Sequence, residues 1–251
     1  MKPMARLGTS WGLARSLVVY YAQPWRRLAL KRFYSHLIRP GDLVFDIGAH
    51  VGSRSQTMLS LGAKVVAVEP QPAFADFIAS RFKGRLQAFE RVAVGQMPGQ
   101  IDLLISSRHP TVTSISPRFV ETVQKTPGFA QVVWDHKVTV PMVTLDQLIG
   151  RHGLPAFCKI DVEGAEAEIL EGLSTPIALI AFEYIPAMPS ILSRSIERLM
   201  ALGNYRFNRV IGESHRFVDD VWKAAEDMLE ELADLPSDAI SGDIYARLEP
   251  Q

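Results

Sequence analysis

The chain alternates short apolar runs with amphipathic stretches over most of its length. Apolar runs bounded by turn residues predict strands, and apolar residues at every third or fourth position predict the helices between them. The predicted strands cover residues 43–47, 64–68, 86–90, 156–162 and 177–182, and the predicted helices cover residues 53–61, 72–82, 145–151, 166–171 and 191–202.

This alternation predicts the fold class. Strands that alternate with helices are joined by right-handed crossovers and form a mostly parallel sheet. The strands are apolar along nearly their whole length, which is typical of a sheet with helices on both faces. Near the end of the chain, strands at 205–210 and 243–248 can pair, with an acidic helix near 219–234 between them. We therefore predict an α/β fold with a seven-stranded sheet, and extra strands at 100–105 and 137–142 inserted before the fourth strand.

Length and charge limit the domain organisation. A chain of 251 residues with 47% apolar residues can form one domain with an arm. Residues 1–40 contain eight Lys or Arg and no Asp or Glu, so we expect a basic helical arm there and the main domain over 41–251. The formal net charge is zero and gives no indication of a nucleic-acid partner.

Cysteine content bears on the compartment. Cys158 is the single cysteine, which excludes an internal disulfide framework and suits a reducing environment. It lies in an apolar run, where a free thiol usually behaves as a small buried hydrophobe. No export signal is apparent, and no stretch approaches the ~20 apolar residues that cross a bilayer. We expect a cytoplasmic protein.

The densest chemical pattern begins at the end of the first strand. Asp46, Gly48 and Gly52 form an Asp-x-Gly-x-x-x-Gly turn, and Glu69 ends the second strand. Glycines allow a tight turn from strand to helix, and ligands of open α/β sheets bind beyond the carboxyl ends of the strands. A carboxylate at Glu69 can accept hydrogen bonds from both hydroxyls of a ribose. The pattern predicts a nucleoside site, and its alternative is a tight turn beside solvated strand ends.

The spacing of this turn distinguishes two cofactor classes. A Gly-x-Gly-x-x-Gly turn brings bare backbone to a pyrophosphate. Here the carboxylate of Asp46 precedes the glycines, which is unfavourable beside pyrophosphate and favourable beside a cation. S-adenosylmethionine fits because it carries a sulfonium, an ammonium and a ribose diol but no phosphate. An NAD-dependent oxidoreductase is the alternative enzyme, and the missing fingerprint argues against it.

A second acidic cluster follows the fourth strand. Asp161 should emerge near the glycine turn, and Glu183 ends the neighbouring strand, so both can point into one cleft. A carboxylate at the ligand-binding edge can accept a proton from a reacting group, so we predict Asp161 or Glu183 as the catalytic base. Further candidates are Glu163, His50 and His109, and Lys159 can pair with Glu163 or orient a substrate. The sequence assigns no metal site.

Four motifs together resemble the FkbM family of S-adenosylmethionine-dependent methyltransferases. The resemblance extends from about Arg39 to Tyr184, and His50 stands where the family usually has asparagine. It implies a class I methyltransferase (Rossmann-like) fold and O-methylation of a sugar, glycan or secondary metabolite. The motifs are PGDLVFDIGAHVG at 40–52, VEP at 68–70, VTLDQL at 143–148 and KIDVEGAE at 159–166.

The resemblance also implies roles for individual residues. The methionine end of the cofactor would be lined by Asp46, Gly48 and Gly52, and Glu69 would bind its ribose. Asp161 would face the methionine moiety or the acceptor. The adenine would lie between Pro70 on one side and Ala93 and Val94 on the other.

Partners remain open at several points. We expect the acceptor to contact segment 106–136, where Thr113, Ser114 and Arg118 offer hydrogen bonds. The basic helix over 11–38 can lie on an anionic membrane surface, pack over the cofactor cleft or form a homo-oligomer interface. A nucleic-acid substrate is disfavoured because basic residues are not concentrated in the catalytic half. A non-catalytic cofactor-binding partner protein is the alternative outside the enzymes.

Overall fold

A seven-stranded β-sheet forms the centre of the structure, a computed structural model that describes residues 24–106, 113–115 and 132–250. The strand order is β3-β2-β1-β7-β8-β10-β9, and β10 runs antiparallel to both of its neighbours while the other pairs are parallel. The prediction of an α/β fold with a mostly parallel seven-stranded sheet is confirmed. These strands are β1 Leu43–Ile47, β2 Lys64–Val68, β3 Ala88–Glu90, β7 Phe157–Ile160, β8 Leu179–Tyr184, β9 Tyr205–Ile211 and β10 Gly242–Leu248.

A second, three-stranded sheet accounts for the inserted strands. Its members are β4 Ala93–Val94, β5 Gly99–Ile105 and β6 His136–Val143, in the order β4-β6-β5. The strands predicted at 100–105 and 137–142 are thus confirmed, and β5 and β6 pair antiparallel. The two-residue strand β4 was not predicted. It follows β3 closely and places Ala93 and Val94 beside the carboxyl end of the main sheet.

Seven described helices cover the sheet. The sequence placed most of their ends within one or two residues, but it placed the start of the last helix too early, near 219 instead of Ala225. Thr144 begins its helix with a capping box that it forms with Gln147. The helices are α1 Pro24–Tyr34, α2 Ser53–Ser60, α3 Pro72–Arg81, α4 Leu145–His152, α5 Glu166–Glu171, α6 Pro189–Leu202 and α7 Ala225–Ala233.

The core lies on both faces of the main sheet because strand residues alternate in direction. Phe45 packs on one face in a cluster with Cys158, which is fully buried as expected. Its neighbour Val44 packs on the other face with Phe33 and Tyr34 of α1. The end of the predicted basic arm therefore contributes to the core. Residues 1–23 lie outside the described part of the chain, so the domain boundary at residue 40 stays a prediction.

The exposed side of α1 is compatible with the predicted contact with a membrane surface. Trp25 and Leu28 are 65% and 69% exposed on this basic helix. Within the described ranges of the chain, no helix has both the length and the apolar character that crossing a membrane requires. Contact of residues 11–38 with a membrane surface stays a prediction.

Candidate active site

The carboxyl ends of β1, β2 and β7 border a cleft of about 870 Å³. We call it the donor cleft. The predicted cofactor-binding residues that line it are Asp46, Gly48, Glu69, Pro70, Ala93, Val94 and Asp161. Gly52 and Glu183 are the two predicted site residues that are not among its lining residues.

Both glycines of the turn are required by geometry, for different reasons. Gly48 has φ 82°, and a Cβ added there would lie 1.9 Å from the carbonyl oxygen of Asp161. The loops after β1 and β7 can therefore meet only if residue 48 is glycine. Gly52 has φ 72°, and a Cβ there would lie 2.4 Å from the ring of Phe82. Its close contact is with the core, so a contact of Gly52 with the cofactor stays a prediction.

Two backbone amides hold the carboxylate of Glu69 in place. Its Oε2 accepts the N–H of His50 and its Oε1 accepts the N–H of Gln71, both at 2.8 Å. Burial raises the pKa of this carboxyl to about 7, although the two hydrogen bonds oppose the shift. Each oxygen can accept a further hydrogen bond. The side chain is 6% exposed and lines the donor cleft, where it presents a fixed pair of acceptors.

Asp46 is fixed in a similar way. Its side chain is 1% exposed and accepts a hydrogen bond from the hydroxyl of Ser55 in the first turn of α2. Burial raises the pKa of the Asp46 carboxyl. The residue adds a second carboxylate to the floor of the donor cleft.

Asp161 lies just beyond β7 between two cations. Its Oδ2 is 3.1 Å from Nη1 of Arg54 and 3.7 Å from Nζ of Lys159. Burial opposes its ionisation, but these two charges outweigh burial and hold the pKa of Asp161 below its ordinary value. Of the two roles considered for Lys159, pairing with Glu163 is not what the structure shows. Lys159 is fully buried and donates instead to Oδ1 of Asp243 at 2.9 Å, because β10 brings Asp243 beside β8.

Three carboxylates converge at the ends of β7 and β8. Asp161, Glu163 and Glu183 each bring one oxygen within 4.8 Å of the others. We call these residues the carboxylate trio. Burial and the neighbouring carboxylates raise the pKa values of Glu163 and Glu183 well above their ordinary range. Within the described residues, this trio is a group that can accept a proton or bind a cation.

Glu183 and the nearby Glu166 differ in their contacts. Glu183 has a buried Oε2 that makes no hydrogen bond within the described residues. Glu166 accepts the N–H groups of Val162 and Gly164 at 3.3 Å each, so it shapes the loop that carries Glu163. Glu166 thus has a structural role, as expected for an acidic residue at the start of a helix.

The family model for the methyltransferase FkbM domain matches residues 46–237, which include the donor cleft and the carboxylate trio. The chain belongs to the FkbM methyltransferase family. A segment of 47 residues is 38% identical to a chloroplastic ribosomal RNA small subunit methyltransferase of Arabidopsis thaliana. That match covers 19% of this chain and only 14% of the Arabidopsis protein.

Solved structures of other methyltransferases align with most of this FkbM chain at low identity. An O-methyltransferase from Bacillus cereus in complex with SAH is 12% identical, with a TM-score of 0.48, over 99% of this chain and 92% of its own. A precorrin-6y C5,15-methyltransferase from Geobacter metallireducens GS-15 is 14% identical, with a TM-score of 0.43, over 90% of this chain and 89% of its own. At these values neither structure bears on the acceptor of this chain.

His50 is the position where this FkbM chain departs from the asparagine usual in the family. The residue has φ 52°, and its ring centroid lies 4.0 Å from that of Phe74. A left-handed backbone is uncommon for residues other than glycine but is enriched for asparagine and histidine, so both residues suit this position. Burial lowers the pKa of His50 to about 4, so the imidazole is neutral at pH 7.

Arg54 is the site residue that the sequence did not reveal. It joins Asp161 to Glu213, whose Oε1 lies 3.3 Å from Nη2 of Arg54. Periodicity gives no indication of partners so distant along the chain. One signal was available, because a basic residue in the first turn of a helix opposes the helix dipole.

The segment expected to contact the acceptor is described only in part. Thr113 and Ile115 line the donor cleft, and the hydroxyl of Ser114 donates to the carbonyl of Glu163 at 2.7 Å. The described part of the segment therefore lies against the carboxylate trio. His109 and Arg118 lie outside the described residues.

Proposed function

We propose that this FkbM protein is an S-adenosylmethionine-dependent methyltransferase that methylates a hydroxyl of a sugar, glycan or secondary metabolite. The observation that carries the proposal is the charge of the donor cleft. Asp46 and Glu69 place two buried carboxylates beside the glycine turn. Such a cleft favours a ligand with a sulfonium and an ammonium over one with a pyrophosphate. Membership of a methyltransferase family supports the same cofactor.

The proposed binding mode gives each part of the cofactor its own residues. Glu69 accepts the two ribose hydroxyls, since both of its oxygens are already oriented by backbone amides. Pro70, Ala93 and Val94 border the adenine as apolar walls of the cleft. Asp46 and the Gly48 turn face the methionine end. When bound, the cofactor supplies an electrophilic methyl group.

The carboxylate trio is the proposed proton acceptor. As the acceptor oxygen takes the methyl group, its proton must move to a base within hydrogen-bond reach. Asp161 is held as an anion by Arg54 and Lys159, which makes it a weak base and a good orienting group. Glu163 and Glu183 have raised pKa values and can share one proton. Glu163 lines the cleft, so the proton passes to this pair.

Cation binding by the trio is the second role that its geometry allows. The positive groups of Arg54 and Lys159 already lie within 3.1 Å and 3.7 Å of Asp161, and they repel a further cation at that oxygen. This arrangement favours proton transfer to the trio. Excess chelator should therefore leave turnover unchanged, and loss of turnover that Mg²⁺ restores would assign the trio to a metal instead.

The alternatives are an NAD-dependent oxidoreductase and a non-catalytic cofactor-binding protein. The carboxylate-lined cleft disfavours the first, and the carboxylate trio disfavours the second. Cytoplasmic location and a small-molecule or glycan acceptor belong to the same proposal. They are supported by the buried free thiol of Cys158 and by the zero net charge.

One acceptor panel with two readouts tests the proposal. The full chain is incubated with sugars, sugar phosphates and hydroxylated metabolites, once with methyl-labelled S-adenosylmethionine and once with NAD. We expect labelled O-methyl product from at least one acceptor and no NADH from any. NADH formation without methyl transfer would contradict the proposal.

A further inference from the structure

A second pocket, of about 610 Å³, adjoins the donor cleft. It lies between α1, the start of α2 and the loop after β9, and we call it the basic pocket. Its ionisable lining residues are Arg26, Arg27, Arg54, Glu213 and His215. Ser53 and Arg54 line both cavities, so the two are separated by little more than one arginine head group.

The basic pocket carries a net positive charge. Three arginines line it, and His215 adds no charge at pH 7 because burial lowers its pKa. Arg54 is paired with both Glu213 and Asp161, so the group carries a net charge of +1 when these two carboxylates are included. Guanidinium groups form paired hydrogen bonds with phosphate oxygens. A phosphate monoester has enough acceptor oxygens to bind two guanidinium groups at once, whereas one guanidinium group can occupy both oxygens of a carboxylate.

Arg54 fixes the relation between the two cavities. One of its terminal nitrogens contacts Asp161 of the carboxylate trio and the other contacts Glu213 in the basic pocket. The side chain of Arg54 therefore lies between the carboxylate trio and the basic pocket. An acceptor that occupied both would have its two ends on either side of this arginine.

We infer that the methyl acceptor is a small phosphate-bearing molecule, whose phosphate is held by Arg26 and Arg27 while its hydroxyl lies at the carboxylate trio. This inference rests on the proposed methyltransferase function and specifies its substrate class. Arg26 and Arg27 do not line the donor cleft. Their role is thus separable from cofactor binding.

Equilibrium titration of the full chain with inorganic phosphate tests the inference. We expect saturable binding to the wild type and at least tenfold weaker binding to the double variant Arg26→Ala/Arg27→Ala. The matched control is Lys31→Ala/Arg32→Ala, which removes two positive charges from exposed positions of the same helix outside the pocket. The control should bind phosphate within twofold of the wild type. If both double variants lose the same amount of phosphate affinity, the loss reflects only the change in net charge, and the inference is overturned.

Further titrations separate this inference from the proposed function. Saturating S-adenosylhomocysteine should leave phosphate affinity within twofold, whereas competition would place phosphate in the donor cleft and overturn the inference. If acetate binds as tightly as phosphate, the choice of phosphate as the bound group is overturned. If an RNA oligonucleotide binds more tightly than pyrophosphate at high salt, the inference that the acceptor is a small molecule is overturned.

The outcomes for the two cavities are independent. Phosphate binding without S-adenosylmethionine binding would contradict the proposed function alone. S-adenosylmethionine binding without phosphate binding would contradict the basic pocket alone.

Discussion

Glu69 is held in one orientation before any ligand arrives, because two backbone amides occupy one acceptor position on each of its oxygens. Replacing it with alanine removes both acceptors for the ribose. Hydrogen bonds to a charged group contribute about 1.5–3 kcal/mol, so Glu69→Ala should weaken S-adenosylmethionine binding by roughly tenfold to a hundredfold. Calorimetric titration measures this change. Wild-type affinity in the variant would refute the assignment of Glu69 to the ribose.

The raised pKa of Glu69 predicts a pH dependence of cofactor binding. With a pKa of about 7, the carboxyl is largely protonated at pH 6 and largely ionised at pH 8. The ionised form accepts stronger hydrogen bonds from the ribose hydroxyls. S-adenosylmethionine affinity should therefore rise from pH 6 to pH 8. Glu69→Gln cannot ionise, so its affinity should change less over this range, and an unchanged slope would place the titrating group elsewhere.

Asp161 should affect turnover more than folding. Asp161→Asn removes a charge that orients Arg54 and contributes to the carboxylate trio, while Lys159 keeps its partner Asp243. Misplacing a reacting group by about 1 Å can lower the rate by about 10²-fold. We expect a loss of turnover of this order with a small change in the melting temperature. Asp102→Asn, at an exposed carboxylate on β5, is the control, and full activity of Asp161→Asn would exclude a chemical role.

At the scale of elements, the meeting of two loops determines the shape of the donor cleft. A methyl group at residue 48 would lie 1.9 Å from a backbone oxygen, which cannot move aside as a flexible side chain can. Gly48→Ala should therefore destabilise the protein by more than the roughly 1–2 kcal/mol that a left-handed backbone alone costs for alanine. It should also impair cofactor binding.

Gly84→Ala is the matched comparison for this prediction. Gly84 has φ 69°, close to the value at Gly48, but a Cβ there would meet no atom within 4 Å. Chemical denaturation of both variants separates backbone strain from collision. Equal losses in the free energy of unfolding would show that the contact with the Asp161 backbone has no effect.

Most elements of the fold were predictable because their signals are local. The apolar strands β1 and β2, the capping box at Thr144 and the paired strands β9 and β10 all appear in short windows of sequence. Strand β4 was missed because two residues are too few to show a period. The strand predicted over 156–162 ends at Ile160, since Glu163 with φ 58° cannot continue it.

The pairs that shape the site were less predictable than the residues themselves. The sequence indicated Asp161, Glu69 and the glycines through their positions at strand ends. It gave no indication that Arg54 pairs with Asp161 or that Lys159 pairs with Asp243. Those contacts depend on which strands become neighbours, and in particular on the insertion of β10 next to β8. Periodicity predicts which face of an element is buried but does not identify its partner.

At the scale of the whole molecule, the sheet brings two cavities to one edge. The donor cleft lies where the strand order reverses between β1 and β7, the usual position for a ligand in such sheets. The basic pocket lies on the other side of Arg54, against α1. A cofactor at the first cavity and an acceptor at the second would meet at the carboxylate trio. In this arrangement both reactants would be held next to each other before methyl transfer begins, which lowers the barrier to the reaction.

The central claim is that the donor cleft holds S-adenosylmethionine and does not hold a dinucleotide. Calorimetric titration of the full chain with S-adenosylmethionine, S-adenosylhomocysteine and NAD tests this claim most directly. We predict saturable binding of the first two at one site per chain and no measurable binding of NAD. Binding of NAD with no response to S-adenosylmethionine or S-adenosylhomocysteine would contradict the account.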